Sequence, residues 1–575
     1  MDVQNKNINT INELPNGNLL TGRGGKVVLN ESDRRFVAVM QPDSSNVDAA
    51  GCWVLSTIEG KKGTATLQIM KKLREQKIVV DVYAIVPEGV LKALYETDDR
   101  HREELFASGS LQDSHVIKSI MEMMSLVVAE KASDVHIEKR HDQACVKIRK
   151  NGEIMKLKGY ETISQTHATE MCTVIYNVLA EADSKDVSFN ETLIQQGAVK
   201  LSVPVGQHIH EIKLRFQSIP VYPDGFDVIM RVLPVGKNEK YTTLEELGYE
   251  QSQIKLILEC VSRAVGAVII AGVTGSGKST TLKNLLMWLN EEREYSEKIF
   301  TVEDPPEYII PHVSQHPVIR GKDDVEKKRT PFEDAIKACM RGDPDLIMIG
   351  EIRDGSTGDL LKKAVQSGHR VLSTTHAPSP LGVVDRLMDF GLSVSTLSSQ
   401  EFLAGVMYQR LLAELCKSCS TLLVDALASS KVSKHLIELN GRIERTLKDG
   451  NTEDYGSYLN KVRLRGKGCS ECSNGVTGRT VCAEVMKPDL TILTCIQHQD
   501  LLGALGHLRN KVSDQSLVSK NMVGKSAMAH AFYKMVCGRI DPVELERSFG
   551  VISVSEIRGL PEVKASDYKE DEFSF

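Results

Sequence analysis

A glycine-rich segment near the middle of the chain has the residue types needed to hold phosphate groups. Its sequence, GVTGSGKS at 272–279, matches the pattern G-x-x-x-x-G-K-[ST] in full. Glycines let backbone N–H groups close around phosphate oxygens, the lysine reaches the β- and γ-phosphates, and the final hydroxyl is a ligand for Mg²⁺. The predicted ATP-binding residues are Gly272, Thr274, Gly275, Ser276, Gly277, Lys278, Ser279 and Thr280, with Ser279 as the magnesium ligand.

Two apolar runs downstream of this loop each end in a carboxylate. The first leads into Glu303 and the second, DLIMIG at 345–350, leads into Glu351. Hydrolysis at a phosphate loop needs a carboxylate near the metal and a group that orients the attacking water. An isolated acid at a strand end is more often a solvated turn, but two such acids after a complete phosphate loop indicate catalysis. Either of them can be the principal base.

A third apolar run, GHRVLSTTH at 368–376, ends in a histidine. Its position predicts that His376 hydrogen-bonds or senses the γ-phosphate. The alternative is a structural histidine, because histidine is intermediate in burial and a lone one often has a packing role.

Four of the twelve cysteines form two C-x-x-C pairs, Cys416 with Cys419 and Cys469 with Cys472. In a reducing compartment such pairs indicate metal binding rather than a disulfide. Four thiolates complete the tetrahedral shell of Zn²⁺ and leave no position for a reacting water. The pairs therefore predict a structural zinc site, and the alternative is two unrelated pairs of buried thiols.

The segments around these residues predict the elements that position them. Residues 267–271 (AVIIA) predict a buried strand before the phosphate loop, and 280–289 predict the helix after it, as in an α/β nucleotide-binding core. Residues 36–94 alternate strand-like and helical runs and predict a small α/β domain. Residues 111–235 predict a second α/β domain, with one helix followed by strands in which apolar and polar residues alternate.

Length, charge and hydropathy exclude several classes of protein. A chain of 575 residues with 41% hydrophobic and 26% charged residues is typical of several folded domains, not of a fibrous or mostly disordered protein. The 71 basic and 77 acidic residues give a net charge of −6, which disfavours bulk binding to nucleic acid. No apolar run approaches the roughly 20 residues of a membrane helix, and the polar N-terminus does not resemble a secretory signal. We therefore expect a cytoplasmic location.

The order of the motifs resembles that of the secretion ATPase superfamily, which serves type II secretion and type IV pilus systems. The family pattern runs from A-S-D-I-H-I-E through the P-loop, a T-I-E-D-P-x-E box, an R-x-D-P-D…G-E-I-R-D segment and a G-H…T-x-H box to Q-R-L…L-C. The matching residues here are 132–138, 272–279, 301–307, 341–354, 368–376 and 409–416. The resemblance covers about 111–550.

The resemblance implies a multidomain α/β fold. It combines a small N-terminal α/β domain, a second α/β N-domain and a RecA-like P-loop motor domain with a zinc-binding insert and a helical C-terminal part. The predicted bounds are 1–110 for the recruiting or partner domain, 111–235 for the second N-domain, 236–248 for a linker, 249–400 for the ATPase core, 401–486 for the tetracysteine zinc subdomain, 487–550 for the helical part and 551–575 for a disordered tail.

The resemblance also implies roles for individual residues. Glu303 and Glu351 would polarise the water and support Mg²⁺. Arg215 and Arg231 match arginines that reach the nucleotide from the second N-domain, where a cation stabilises the charge of the transition state. The alternative for each arginine is a solvated charge on a strand surface. The tetracysteine insert matches that of assembly and export members of the family.

The function implied by the resemblance is that of a hexameric cytoplasmic ATPase, peripheral on the inner face of the cytoplasmic membrane, with ATP, Mg²⁺ and Zn²⁺ as its ligands. It would power type IV pilus assembly or type II protein secretion through an inner-membrane platform protein and cytoplasmic-face assembly proteins. Pilin or exported protein would be the indirect cargo, with no direct contact to nucleic acid. The alternatives are a motor for conjugation or DNA uptake and a nucleotide-sensing scaffold with weak turnover.

Overall fold

The structure of the protein is a computed structural model with two compact units, Met1–Gly236 and Lys237–Phe575. The residues that it describes are 4–8, 13, 14, 17–21, 27, 29, 36–42, 52–58, 60, 63–76, 78–92, 94, 95, 115–181, 188–206, 208–234, 241–318, 331–429, 432–511, 514 and 516–559.

The first sheet of the first unit is mixed. Its strands are β1 Gln4–Asn7, β2 Gly17–Leu19, β3 Val37–Pro42, β4 Cys52–Ser56 and β5 Val80–Ile85, in the order β1-β5-β4-β3-β2, and helix α1 is Thr64–Glu75. Side chains of consecutive residues in a strand point to opposite faces. Val54 and Leu55 accordingly belong to two different apolar clusters, one on each face of this sheet.

The second sheet of the first unit is antiparallel. Its strands are β6 Asp134–Lys139, β7 Ala144–Lys150, β8 Glu153–Lys156, β9 Gln195–Val205, β10 His208–Val221 and β11 Gly225–Pro234, in the order β8-β7-β6-β11-β10-β9. Helices α2 His115–Ala129 and α3 Gln165–Val174, with a π-helical turn at Ile175–Leu179, share one core with it. Leu214 and Phe216 face that core, so Arg215 between them lies on the exposed face.

The main sheet of the second unit has seven strands. They are β12 Gly266–Ala271, β13 Ile299–Glu303, β14 Ser314–Pro317, β15 Leu346–Ile349, β16 Arg370–Thr375, β17 Leu403–Leu415 and β20 Val476–Met486, while β18 Thr421–Leu422 and β19 Arg463–Leu464 form a separate pair. The order is β14-β13-β15-β16-β12-β17-β20, and all neighbours are parallel except β17 and β20. The central strands are buried along their whole length because the sheet has an apolar core on both faces.

The helices of the second unit surround this sheet, and those near the C-terminal end form a further apolar core. They are α4 Leu244–Leu247, α5 Gln251–Val261, α6 Lys278–Glu292, α7 Pro331–Cys339, α8 Gly355–Gln366, α9 Pro380–Asp389, α10 Val394–Leu397, α11 Leu423–Leu427, α12 Lys434–Asp449, α13 Tyr455–Leu459, α14 Leu490–Gln497, α15 Leu501–Asn510, α16 Ala527–Val536, α17 Pro542–Phe549 and α18 Val554–Arg558.

Three of the expected domain bounds need correction. The predicted linker 236–248 contains helix α4, which begins with a reciprocal Thr243–Glu246 capping box and buries Leu244. The predicted division at 400/401 separates β17 from β12, although the two pair in one sheet. The predicted disordered tail begins too early, because α18 buries Ile557; the part of that prediction beyond residue 559 lies outside the described residues.

A helix that spans a bilayer needs about 20 predominantly apolar residues. Among the residues that the structure describes, no helix is both long and apolar enough to cross a bilayer.

Candidate functional site

The phosphate loop lies between the buried strand β12 and helix α6, as the sequence predicts. Gly277 is the N-cap of α6 with φ 84°, a conformation that glycine adopts without the Cβ strain of other residues. A Cβ at this position would also lie 3.2 Å from Leu411 Cδ1. Strand, loop and helix therefore direct the N-terminus of α6, with its partial positive charge, towards the loop.

Two side chains of the loop fit an anionic ligand. Lys278 Nζ donates to the backbone oxygens of Gly272 at 2.8 Å and Val273 at 3.2 Å. Burial lowers the pKa of Lys278, while the negative charges of Glu351 and Glu307 oppose the shift. Ser276 Oγ is buried and has no hydrogen-bond partner among the described residues. A cationic side chain that is bonded only to loop carbonyls is available to phosphate oxygens, so the loop fits the triphosphate of a nucleotide.

Glu303 ends strand β13 and is held in one orientation. Thr301 Oγ1 donates to its Oε1 at 2.7 Å, and Gln315 Nε2 donates to the same oxygen at 3.0 Å. Burial raises the pKa of Glu303 above its usual value, and these hydrogen bonds offset only part of that effect. A buried carboxylate with a raised pKa is a better proton acceptor near neutral pH than a solvated one.

Glu351 follows strand β15, the neighbour of β13 in the sheet, and both of its oxygens have partners. Arg353 Nε donates to Oε2 at 2.7 Å, and His376 Nε2 lies 3.2 Å from Oε1. His376 follows strand β16, and the structure places it against Glu351 on the exposed side. The predicted acid and the predicted histidine are thus brought together, and Glu351 in turn interacts electrostatically with Lys278.

Three consecutive hydroxyls at the end of β16 hold the turn that carries Glu351. Ser373 Oγ donates to Ile349 O at 2.6 Å, Thr374 Oγ1 to Gly350 O at 2.7 Å and Thr375 Oγ1 to Ile352 O at 3.0 Å. Such buried hydrogen bonds fix the backbone, because each donor and acceptor would be costly to leave unpaired. The orientation of Glu351 therefore depends on the neighbouring strand.

The donor set around the loop also fits Mg²⁺. Ser279 is half-buried in the first turn of α6, and Glu303 and Glu351 supply carboxylates at the carboxyl ends of adjacent strands. Hydroxyl and carboxylate oxygens are the ligands that this ion prefers, usually together with phosphate oxygens and water. When bound, the ion would neutralise charge on the phosphates.

Arg215 and Arg231 lie in the first unit, where they form a directly opposed pair on β10 and β11. Both are exposed, which fits a role as cations that contact a ligand. Arg231 also forms an ion pair with Asp134, its neighbour on β6, at 3.2 Å from Nε to Oδ1. The structure therefore brings the two arginines together with each other on the second sheet of that unit.

The four cysteines of the two C-x-x-C pairs form one cluster. All four Sγ atoms lie within 4.8 Å of one another, and the Sγ–Sγ distances include 3.8 Å for Cys416–Cys469 and 3.6 Å for Cys419–Cys472. A tetrahedral ion with Zn–S bonds of about 2.3 Å requires sulfur atoms about 3.8 Å apart. Gly466 permits the close approach, since a Cβ there would lie 2.8 Å from Cys419 Sγ. The cluster therefore fits Zn²⁺.

Several side chains that orient the site had no predicted role. Gln315 donates to Glu303, and Arg353 donates to Glu351. Gln409 on β17 donates to the backbone oxygen of Ser276 in the phosphate loop. Arg479 on β20 has Nη1 3.5 Å from Gly275 O. Arg353 and Gln409 do lie in the G-E-I-R-D and Q-R-L segments, but those motifs give no indication of what either side chain contacts.

Comparison with known proteins places this arrangement in a family. The sequence model of the family described as "Type II/IV secretion system protein" matches residues 110–532. The type II secretion system protein E of Dickeya dadantii is 30% identical over 387 residues, which are 67% of this chain and 68% of that protein. The type IV pilus assembly ATPase TfpB of Acinetobacter baylyi is 28% identical over 440 residues, 75% of this chain and 67% of that protein.

The chain also has a distant likeness to a solved structure. The X-ray structure of the Legionella pneumophila ATPase DotB is 17% identical in sequence and overlaps 75% of this chain and 95% of its own length, with a TM-score of 0.49. An overlap as loose as this adds nothing to the assignment by sequence.

Proposed function

The chain belongs to the type II/IV secretion system protein family, and as an ATPase of that family we propose that it hydrolyses the β–γ bond of ATP to drive type IV pilus assembly or type II protein secretion. The observation that carries the proposal is the arrangement of the second unit, in which a complete phosphate loop and two acids lie at the carboxyl ends of parallel strands. Ligands of such sheets bind at that edge.

Nucleotide binding would use the backbone N–H groups of the loop and the lysine. Lys278 would exchange its contacts with Gly272 O and Val273 O for the β- and γ-phosphates. Ser279 would be the magnesium ligand from the protein. The full set of proposed nucleotide-binding residues is Gly272, Thr274, Gly275, Ser276, Gly277, Lys278, Ser279 and Thr280.

For the hydrolytic step we assign the role of base to Glu303. The water oxygen bonds to the γ-phosphorus, its proton passes to the Glu303 carboxylate, and the bond to the ADP oxygen breaks. The support for this role is the burial of Glu303, its raised pKa and its fixed orientation under Thr301 and Gln315. Glu351, with both oxygens already held by Arg353 and His376, would support the metal and its water shell.

Arg215 and Arg231 are proposed to stabilise the negative charge of the transition state. Their exposed position on one face of the sheet supports this role, because a cation that contacts a ligand must lie at the surface. His376 is proposed to act on the γ-phosphate through Glu351, its contact in the structure.

The cysteine cluster is proposed to hold one structural Zn²⁺ through Cys416, Cys419, Cys469 and Cys472. Four thiolates close the coordination shell, so the ion would fix the fold of 416–472 and take no part in hydrolysis. The fit of the Sγ–Sγ distances to a tetrahedral ion supports this assignment.

The partner proposed for this chain is an inner-membrane platform protein. We propose that this chain works as a homohexamer in the cytoplasm, peripheral on the inner face of the membrane. Residues 1–110 would be its partner-binding domain, 111–235 the arginine-bearing domain, and pilin or exported protein its indirect cargo. Cytoplasmic-face assembly proteins would be further partners, with no direct contact to nucleic acid.

The role in pilus assembly or export is tested in the native cell. A strain without this chain should lose either surface pili or an exported protein. The wild-type chain should restore the phenotype, whereas Lys278→Ala, made to the same level, should not. Retention of both pili and export in the deletion strain, combined with lost DNA transfer, would instead favour a DNA-uptake or conjugation motor.

A further inference from the structure

Gln409 lies beneath the phosphate loop and is fully buried. Ala271 at the end of β12 pairs with Tyr408 on β17, so Gln409 lies beside the first glycine of the loop. A Cβ at Gly272 would collide with the backbone oxygen of Gln409, and one at Gly277 would lie 3.3 Å from its Nε2. A single residue of β17 thus lies close to both ends of the loop.

Both the nitrogen and the oxygen of the Gln409 side-chain amide have hydrogen-bond partners. Nε2 donates to Ser276 O at 2.7 Å, and Oε1 accepts from Tyr249 Oη at 2.6 Å and from Thr281 Oγ1 at 3.1 Å. Because a backbone carbonyl can only accept a hydrogen bond, the NH₂ group must face Ser276. The hydroxyls of Tyr249 and Thr281 are then the donors that fix the other end.

This hydrogen bond sets the direction of one peptide group in the loop. In a planar trans peptide the C=O and the following N–H point in opposite directions. The carbonyl of Ser276 points at Gln409, so the N–H of Gly277 points away from Gln409, and as a group at a helix N-terminus it can serve as a donor to an anion. If the peptide turned over, a carbonyl oxygen would face the phosphate in place of a donor.

Tyr249 is itself held in place from outside the loop. It is buried, and burial raises the pKa of its phenol, so the hydroxyl remains a donor. The preceding residue, Gly248, accepts a hydrogen bond at 2.6 Å from Nζ of the buried Lys534, which also donates to Thr480 Oγ1. Tyr249 therefore presents its hydroxyl to Gln409 from a fixed backbone.

We propose that Gln409 is a positioning residue for the nucleotide phosphates, which it serves by orienting the Ser276–Gly277 peptide, and that Tyr249 fixes the orientation of its amide. The inference rests on the proposed function, since it assumes that the loop binds nucleotide. It assigns a role in phosphate binding to two residues that have no contact with the nucleotide themselves.

The test measures binding of a fluorescent ADP analogue, with Mg²⁺, to the full chain. Gln409→Glu keeps the shape but offers an acceptor to Ser276 O, so its Kd should rise at least about tenfold. Tyr249→Phe removes one donor and should raise Kd about two- to fivefold. Gln400→Glu makes the same change at an exposed position, and Tyr458→Phe removes a phenol hydroxyl elsewhere; both should bind as the wild type does.

A double-mutant cycle separates positioning from general support of the fold. If Tyr249 acts through the amide, Tyr249→Phe should change Kd in the wild type but not in Gln409→Met, because the methionine has no amide to orient. Equal effects of Tyr249→Phe in both backgrounds would overturn the proposal. So would a Kd within twofold of wild type for folded Gln409→Glu. If Gln409→Glu and Gln409→Met do not fold, Tyr249→Phe decides, and an unchanged Kd refutes the proposal.

The measurement also distinguishes this inference from the function on which it rests. ADP binding requires no turnover. A wild-type chain that binds ADP in the predicted pattern of variants but never hydrolyses ATP would contradict the proposed function and leave the role of Gln409 standing. Full ATPase activity of the wild type, combined with unchanged ADP binding in the folded variants, would support the proposed function and contradict the role of Gln409.

Discussion

Replacing Glu303 with glutamine tests the assignment of the catalytic base. The side chain of Glu303→Gln has the same shape, and its amide oxygen can still accept from Thr301 and Gln315 in the place of Oε1. It cannot take the proton of the water, so turnover should fall by about two to four powers of ten. That loss corresponds to about 2.7–5.4 kcal/mol of transition-state stabilisation. Binding of ADP should change little.

The pH dependence of Glu303→Gln carries a second, independent signal. Because burial raises the pKa of Glu303, the folded chain holds this proton more tightly than the unfolded chain. The wild type should therefore lose stability as the pH rises from the ordinary glutamate value of 4.5 through the higher folded value. Glutamine has no charge whose burial would lower stability. The Tm of Glu303→Gln minus that of the wild type should therefore increase as the pH rises across this range.

The assay follows phosphate release by the full chain across pH, with Tm measured in the same buffers. The wild-type rate should fall on the acid side, as Glu303 becomes protonated, and the residual rate of Glu303→Gln should lack that limb. Glu351→Gln is the matched control, since it should retain the acid limb while it loses turnover. Glu303 is not the base if Glu303→Gln keeps more than about a tenth of wild-type turnover, or if the fall in rate at acid pH disappears in Glu351→Gln instead.

The other residues lead to three further predictions. Glu351→Gln should bind nucleotide normally but cut turnover by about two to four powers of ten; a nearly normal phosphate-release rate would remove it from the site. Arg215→Ala and Arg231→Ala should lower kcat with little loss of stability, because exposed ion pairs contribute only about 0–1 kcal/mol, and unchanged rates would exclude these arginines from the mechanism. Elemental analysis should find one zinc per chain. Cys416→Ser and Cys472→Ser should lose the zinc and become protease-sensitive in 416–472 but still bind nucleotide. The exposed-cysteine control Cys537→Ser should keep both the zinc and the protease resistance. A metal-replete wild type with well under half a zinc per chain would contradict the site.

The phosphate loop and the family could be predicted from sequence because their signals are local. Eight consecutive residues specify the loop, and the buried strand and helix at its ends have clear apolar patterns. The comparisons confirm the predicted family. The predicted α/β fold, with its P-loop motor domain, is confirmed as well. The residue roles and the zinc ion stay predictions, although the four thiols do form one cluster.

The contacts that orient the site could not be predicted because they join distant parts of the chain. Tyr249 and Gln409 are 160 positions apart, and their hydrogen bond depends on β17 pairing beside β12. The contact between His376 and Glu351 likewise depends on neighbouring strands. The bound at 400/401 is wrong for the same reason, because β12 precedes it and β17 follows it in the sequence, yet the two strands pair in one sheet.

Turnover of ATP at the loop around Lys278 is measured directly as phosphate release by the purified full chain. The wild type should release phosphate from ATP in a Mg²⁺-dependent manner, and Lys278→Ala should reduce release to background with its Tm preserved. A folded wild-type chain that binds ATP and Mg²⁺ but releases phosphate no faster than Lys278→Ala would contradict the claim.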